Sequence, residues 1–316
     1  MQSRIYSLDG LRVLFIIFIF TSHCHLMLRN MFSVQFFFLL SGFVLYYNNK
    51  QQITNNKQQT TKFVYKHIKN IYVLHIITFL IAIFLRQDVI VNYSISDWFA
   101  NIFLIQSFME NPYTFNYCSW YISVLFVLYW ITLPLIKKIR LIENIWPVIT
   151  IIVILQFIIN YYYILYYPKL MFLYSFPLYR VLDFSLGMMV AKIYDEHKCI
   201  ISEQTFNFYN TVIVILFVVG LIASFYFIET LNYFTILFLP SIYILAYDKG
   251  WLCEILKNKY IQLFSKYVLY FYLTHELIIA LNERFITNNF SLWISSLIFS
   301  MMVAILTKKL IKYVIW

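Results

Sequence analysis

Arg12 and His23 stand eleven residues apart on a stretch that is otherwise apolar from Leu11 to Leu28. A helix of 3.6 residues per turn returns to nearly the same face after eleven positions. The two side chains therefore share one stripe, roughly 16 Å apart along the axis. A guanidinium at one mouth of such a stripe can hold an anionic donor such as a CoA phosphate. An imidazole deeper on the same face can take a proton from an attacking hydroxyl, since histidine titrates near operating pH. Two further pairs lie inside apolar runs, Arg180 with Asp183 and His275 with Glu276, and His75 lies in a third. A charge at a bilayer centre costs at least about 2.5–3.5 kcal/mol, so each is a functional candidate. Arg180 could orient a substrate or offset charge developing on an oxyanion.

The same residues have plainer readings. Asp9 and Arg12 are three apart and can simply pair at a helix start, and Arg180 and Asp183 can neutralise each other in the same way. His75 is read as a hydrogen-bonded structural group. The tripeptide His23-Cys24-His25 invites a metal, but positions i and i+2 of a helix point to different sides, so no metal is expected. The four cysteines, Cys24, Cys118, Cys199 and Cys253, form no CxxC pair and are read as free thiols.

The elements that must position these groups are membrane spans. Of 316 residues 62% are hydrophobic and 12% charged, with a mean hydropathy of +0.74. A soluble domain carries roughly 25% charged residues, so most of this surface must face lipid. The net charge of +10 lies between the apolar runs, and no nucleic acid partner is expected. It reports topology and attraction to anionic lipid or substrate. Ten spans fit, at about 11–28, 32–47, 70–85, 119–136, 146–166, 174–191, 207–228, 231–247, 261–281 and 290–307. The expected fold is an all-α transmembrane bundle, one domain over 1–316, with both termini cytoplasmic. Nineteen of the 24 basic residues then face the cytoplasm and four the other side, with Arg180 inside a span.

In this arrangement His23, Arg180 and His275 share one depth in the outer half, where Trp120 and Ser123 open the fourth span. Arg12 sits at the inner mouth. The segment Trp98–Phe108 is too short to cross and reads as interfacial or re-entrant. Asn48–Lys62 reads as a solvated loop, Pro134 and Pro147 lie near span ends, and Pro168, Pro177 and Pro240 lie at or near loops. The first span is expected to be retained, since no small-residue cleavage site follows it. The Ile, Asn, Lys, Phe and Tyr content suggests an AT-rich bacterial genome, so the bacterial cytoplasmic membrane is the expected location.

Five segments then carry a resemblance. SLDGLRVLFIIFIFTSH resembles the opening of the acyltransferase family 3 membrane proteins, with its Arg-x10-His motif at Arg12 and His23. FSVQFFFLLSGFVLYY is similar to the second span through Phe37, Phe38, Ser41, Gly42 and Phe43. SWYISVLFVLYW resembles the tryptophan motif through Trp120, Ser123 and Tyr129. FPLYRVLDFSLGMMVAKI resembles the segment carrying Pro177, Arg180, Phe184 and Gly187. YVLYFYLTHELII is similar to the penultimate span through Tyr272, Leu273 and His275. Together they cover nearly the whole chain, in the family's order.

The resemblance implies an acyl donor, usually acetyl-CoA, reached from the cytoplasm, and an acceptor hydroxyl on a cell-envelope or secreted polysaccharide. It implies that Arg12 and His23 are required. On this reading His23 is the general base, Arg12 holds the donor, and Arg180 orients the acceptor or offsets charge. Trp120 stacks on the sugar, Ser123 and Ser41 supply hydrogen bonds, and Glu276 and Asp183 are grouped with them at the substrate. His275 either assists or is structural. Glycan-synthesis machinery is a conceivable partner. Many relatives carry an acid two positions after the serine of the tryptophan motif. Here that place is Leu125, so no glutamate-dependent step carries over. No fused extracytoplasmic domain is expected, and an acyl-histidine intermediate stays open. A flippase for a lipid-linked saccharide is the rival reading, but no repeat halves or paired broken spans support it. A scaffold in a glycan-synthesis complex is a third.

Overall fold

The computed structural model describes residues 4–27, 31–51, 57–166, 171–197, 202–226 and 234–314. Ten long helices follow one another: α1 (Tyr6–His23), α2 (Met31–Asn49), α3 (Lys57–Leu85), α4 (Trp120–Arg140), α5 (Trp146–Tyr166), α6 (Pro177–Glu196), α7 (Glu203–Tyr226), α8 (Phe234–Leu245), α9 (Val268–Asn282) and α10 (Asn289–Val314). Short helices fill the connections, and no strand occurs among the described residues. Among the described residues, five stretches are long and apolar enough to cross a membrane: Tyr6–His23, Gln58–Leu85, Tyr117–Arg140, Glu203–Ile222 and Asn289–Tyr313. Trp146–Tyr162, Phe234–Leu245 and Val268–Asn282 are shorter apolar helices.

The periphery is built for lipid. On α7, Ile215, Val219 and Ile222 stand exposed at helical spacing, and on α10 so do Phe299, Met302 and Leu306. Apolar stripes of that kind are stable against acyl chains and unfavourable against water. The centre holds α6, which is buried continuously from Asp183 to Ile193. Its closest neighbour is α2. The crossing depends on two glycines. A Cβ on Gly42 would lie 2.0 Å from the Phe184 carbonyl oxygen, and one on Gly187 would lie 1.8 Å from that of Leu39. Small residues let helix backbones approach without a side chain between them. Gly187→Leu should therefore cost at least the ~1–3 kcal/mol of ordinary overpacking. The detergent-purified variant is expected to melt well below the wild type, and equal melting would contradict this crossing.

Several boundaries differ from the sequence expectation. Helix α3 starts at Lys57, within the stretch read as a loop. Gln and Lys are good helix formers, and the stretch lacked only the apolar period that marks a span. The ninth expected span is broken into Lys259–Ser265 and α9. Tyr267 N closes a short turn onto Phe264 O at 2.8 Å, and Lys308 Nζ donates to the freed Lys266 carbonyl at 2.8 Å. Pro240, expected near a loop, lies inside α8. Trp98–Phe108 forms the end of a short helix (Ile95–Ile102) and a 3-10 turn (Gln106–Phe108), with Ser94 and Asp97 capping the helix reciprocally. Cys24, Cys118 and Cys253 are free and buried. Cys199, Pro168 and residues 52–56 of the expected loop lie outside the described residues.

Candidate active site

The first N–H groups of a helix have no partner within it. In α1 they find Asp248: Ser7 N donates to Oδ1 at 2.7 Å and Tyr6 N to Oδ2 at 3.1 Å. At the other end His25 adopts φ 58°, the left-handed turn that ends helices. Its Nε2 lies 3.1 Å from Glu283 Oε1, just beyond α9, and Trp293 Nε1 donates to Thr21 Oγ1 at 3.0 Å. Helix α1 is thereby tied at both ends, which fixes the positions of Arg12 and His23 along it.

Helix α9 brings His275 against His23. The His275 Nε2 and His23 Nδ1 atoms lie 3.1 Å apart, and the rings are nearly parallel at 23°. His275 is fully buried. Its Nδ1 lies 2.8 Å from the Tyr272 carbonyl oxygen and 3.2 Å from that of Phe271, whose ring stacks on it at 5.7 Å. The segment before α4 closes over this pair. Asn116 Nδ2 donates to Leu273 O at 2.8 Å while its Oδ1 accepts from Cys118 N, which sets Cys118 Sγ 3.9 Å from His275 Nε2. His23, Cys118 and His275 thus place three potential metal-ligand atoms within 4.8 Å of one another. No spacing in the sequence signals that grouping.

Three adjoining cavities run along α1. One of about 660 Å³ is lined by His23, Trp120, Tyr113, Cys118, Tyr272 and Glu276. The next, about 250 Å³, shares Val34 and Tyr272 with it and is lined by Ser41, Tyr121, Tyr129 and Arg12. The third, about 360 Å³, shares Arg12 and Ser265 with the second and is lined also by Arg4, Asp9 and Tyr47. His23 thus lies in the first of these cavities and Arg12 at the junction of the other two. Asp9 and Arg12 do pair, with Arg12 Nη1 donating to Asp9 Oδ1 at 2.8 Å. Asp9 also accepts from Arg4 Nε at 2.6 Å. One carboxylate between two guanidinium groups leaves this end positive.

Not every expected contact is made. Arg180 and Asp183, placed by the sequence at the substrate, line none of these cavities and are fully buried. Arg180 Nη1 donates to Asp183 Oδ2 at 2.7 Å, and its Nε donates to Tyr174 O at 2.7 Å. Asp183 Oδ1 accepts from Gln35 and Gln156. The pairing considered for Arg180 and Asp183 is therefore present, and the charge is compensated internally. The guanidinium also lies 4.8 Å from the Tyr174 ring, which packs against Trp120. Arg180 stands one side chain behind the cavity wall. Ser123 is likewise turned away, donating to Leu104 O at 2.8 Å and lying 2.7 Å from Ser107 Oγ, where it holds the 3-10 turn.

Other expected residues do reach the cavities. Trp120 and Glu276 line the largest and Ser41 the middle one. Glu276 pairs with Arg86, whose guanidinium sits 3.8 Å over the Tyr117 ring and so ties the segment before α4 to α9. The second oxygen of Glu276 has no hydrogen-bond partner among the described residues. His75 lies 2.9 Å from Asn101 O, the structural role expected of it. Tyr113, Tyr121, Tyr174 and Cys118 were not foreseen as wall residues. Their identities are ordinary for a membrane protein, and only packing shows where they point.

The model of a family described as an acyltransferase domain matches residues 5–309, nearly the whole chain. No curated protein and no solved structure matches it.

Proposed function

The chain belongs to this family of acyltransferases, and from that premise we propose that it moves an acetyl group from acetyl-CoA to a hydroxyl of a cell-envelope or secreted polysaccharide, across the cytoplasmic membrane of a bacterium. The observation that carries the reading is the succession of cavities along α1, with His23 in the first and Arg12 where the other two join. In this reading all ten long helices cross the bilayer and both termini are cytoplasmic, as the distribution of cations favours. The Arg12 end then opens to the cytoplasm, where acyl-CoA is found.

The phosphates of CoA bind at Arg12 and Arg4, and the pantetheine arm lies along the middle cavity past Ser41, Tyr121 and Tyr272. That arm, extended, spans the roughly 16 Å between the levels of Arg12 and His23. The thioester carbonyl reaches the wall shared with the large cavity. The acceptor sugar lies there against Trp120, with Glu276 receiving one of its hydroxyls. His23 takes the proton of the attacking hydroxyl as the oxygen bonds to the carbonyl carbon. The carbon–sulfur bond then breaks, and the thiolate of CoA receives that proton. Ester and free CoA are the products. Arg180 acts from behind the wall by holding Tyr174, and through it Trp120.

The test is CoA release by the purified protein in lipid vesicles given acetyl-CoA and a panel of polysaccharide acceptors. Acceptor-dependent release of free CoA, with an equal amount of base-labile acetate on the glycan, is expected. Movement of a lipid-linked saccharide across the vesicle with no CoA released would sink the reading in favour of the flippase.

A further inference from the structure

Resting on the proposed role of His23, we infer that His275 is a positioning residue that sets which ring nitrogen of His23 carries the proton. A neutral imidazole has one N–H donor and one bare acceptor nitrogen. A carbonyl oxygen can only accept. His275 Nδ1 faces two carbonyl oxygens, those of Tyr272 at 2.8 Å and Phe271 at 3.2 Å, so Nδ1 carries the proton. The ring is fully buried and forms no ion pair among the described residues. A second proton would make it an unpaired charge in an apolar setting, which is costly. Its Nε2 is therefore bare and accepts.

The consequence passes directly to His23, whose Nδ1 lies 3.1 Å from that bare nitrogen. Two bare nitrogens facing each other would make no bond, so His23 Nδ1 carries the proton and donates it. The lone pair of His23 is then on Nε2, the nitrogen left over to act as base. Cys118 Sγ, at 3.9 Å from His275 Nε2, adds a weak thiol donor and reinforces its acceptor character. In water histidine favours the opposite tautomer, with the proton on Nε2. A second ring that fixes the proton on Nδ1 keeps the base competent, as the partner of a catalytic histidine generally does. The backbone carbonyls at the start of this chain of bonds cannot change protonation, so the order is fixed by the fold of α9.

The experiment is ¹⁵N NMR of the histidine-labelled full chain in lipid bilayers, with the His23 signals identified by their loss in His23→Gln. The expected spectrum shows His23 protonated on Nδ1 and bare on Nε2. In His275→Phe the proton should move to Nε2, with kcat falling about 10²-fold or more and KM for acetyl-CoA unchanged. His275→Gln, whose amide oxygen falls near the lost nitrogen, should retain Nδ1 protonation and most of kcat. The wild-type spectrum alone is decisive even if His275→Phe does not fold. A proton on His23 Nε2 in the wild type would overturn the inference. So would His275→Phe with unchanged tautomer and kcat, or stoichiometric zinc bound through both rings. Because the tautomer is read on the protein itself, it is separable from the activity. A wild type with the expected tautomer and a fully active His23→Gln would indict the base assignment and not the bond.

Discussion

Replacing His23 by alanine should lower acyl transfer by about 10²–10⁴-fold, the range a positioned general base supplies. Binding of acetyl-CoA should survive, because His23 lies at the far end of the cavities from Arg12 and Arg4. The hydroxyl of a sugar is a poor nucleophile until its proton has somewhere to go. Among the described residues of the large cavity, the imidazoles and carboxylates able to receive it belong to His23, His25, Glu276 and Glu283. One oxygen of Glu276 is held by Arg86 and the other receives a different hydroxyl of the acceptor, and the His25 ring lies against Glu283. His23 is the one bonded to His275, whose ring lies 5.9 Å from that of Tyr272 on the wall shared with the middle cavity. The check is kcat and donor KM on vesicle-embedded protein, with the amount of folded protein matched. A rise in donor KM with kcat unchanged would instead place His23 in donor binding.

Replacing Arg12 by alanine should act on the other parameter. Hydrogen bonds to charged groups contribute about 1.5–3 kcal/mol each, and about 1.4 kcal/mol is tenfold in affinity. The KM for acetyl-CoA should therefore rise about 10- to 100-fold while kcat at saturation changes little. Only Nη1 of Arg12 is engaged by Asp9 among the described residues, which leaves the rest of the guanidinium fork for phosphate oxygens. A truncated donor, acetyl-pantetheine without phosphates, should be used equally poorly by wild type and Arg12→Ala. If the variant is worse with that donor too, Arg12 serves the fold through Asp9 and not the donor.

Level along the bundle was legible from residue order, but rotation about each helix axis was not. Counting residues from span ends places His23, Arg180, His275, Trp120 and Ser123 at one level. His23 and Trp120 do line one cavity, and His275 meets His23 behind its wall. Arg180 and Ser123 are at the right level but turned into the bundle. The cause is that helices apolar on every side carry no stripe that tells core from lipid. Arg12 and His23 escaped this ambiguity because they lie on the same helix, where the 3.6 period fixes their relation. The bond between His23 and His275 spans 252 positions, and only packing of α1 against α9 creates it. The break before α9 was invisible for a similar reason, since Lys266 and Tyr267 carry no helix-stopping signal and the compensating donor, Lys308, comes from α10.

The same logic explains the centre of the fold. The glycines at 42 and 187 were visible as residues of the family's motifs, but the sequence did not show that they face each other's helix backbone. Their contact sets the crossing of α2 on α6. That crossing carries Ser41 and Phe37 into the middle cavity and holds Arg180 behind Tyr174.

The most direct test of transfer through His23 is the amount of base-labile ester on surface glycan in cells carrying the wild type, His23→Ala or no copy of the gene, at matched membrane levels of protein. Ester with the wild type alone is the predicted result. Ester in His23→Ala cells equal to that of the wild type would contradict it.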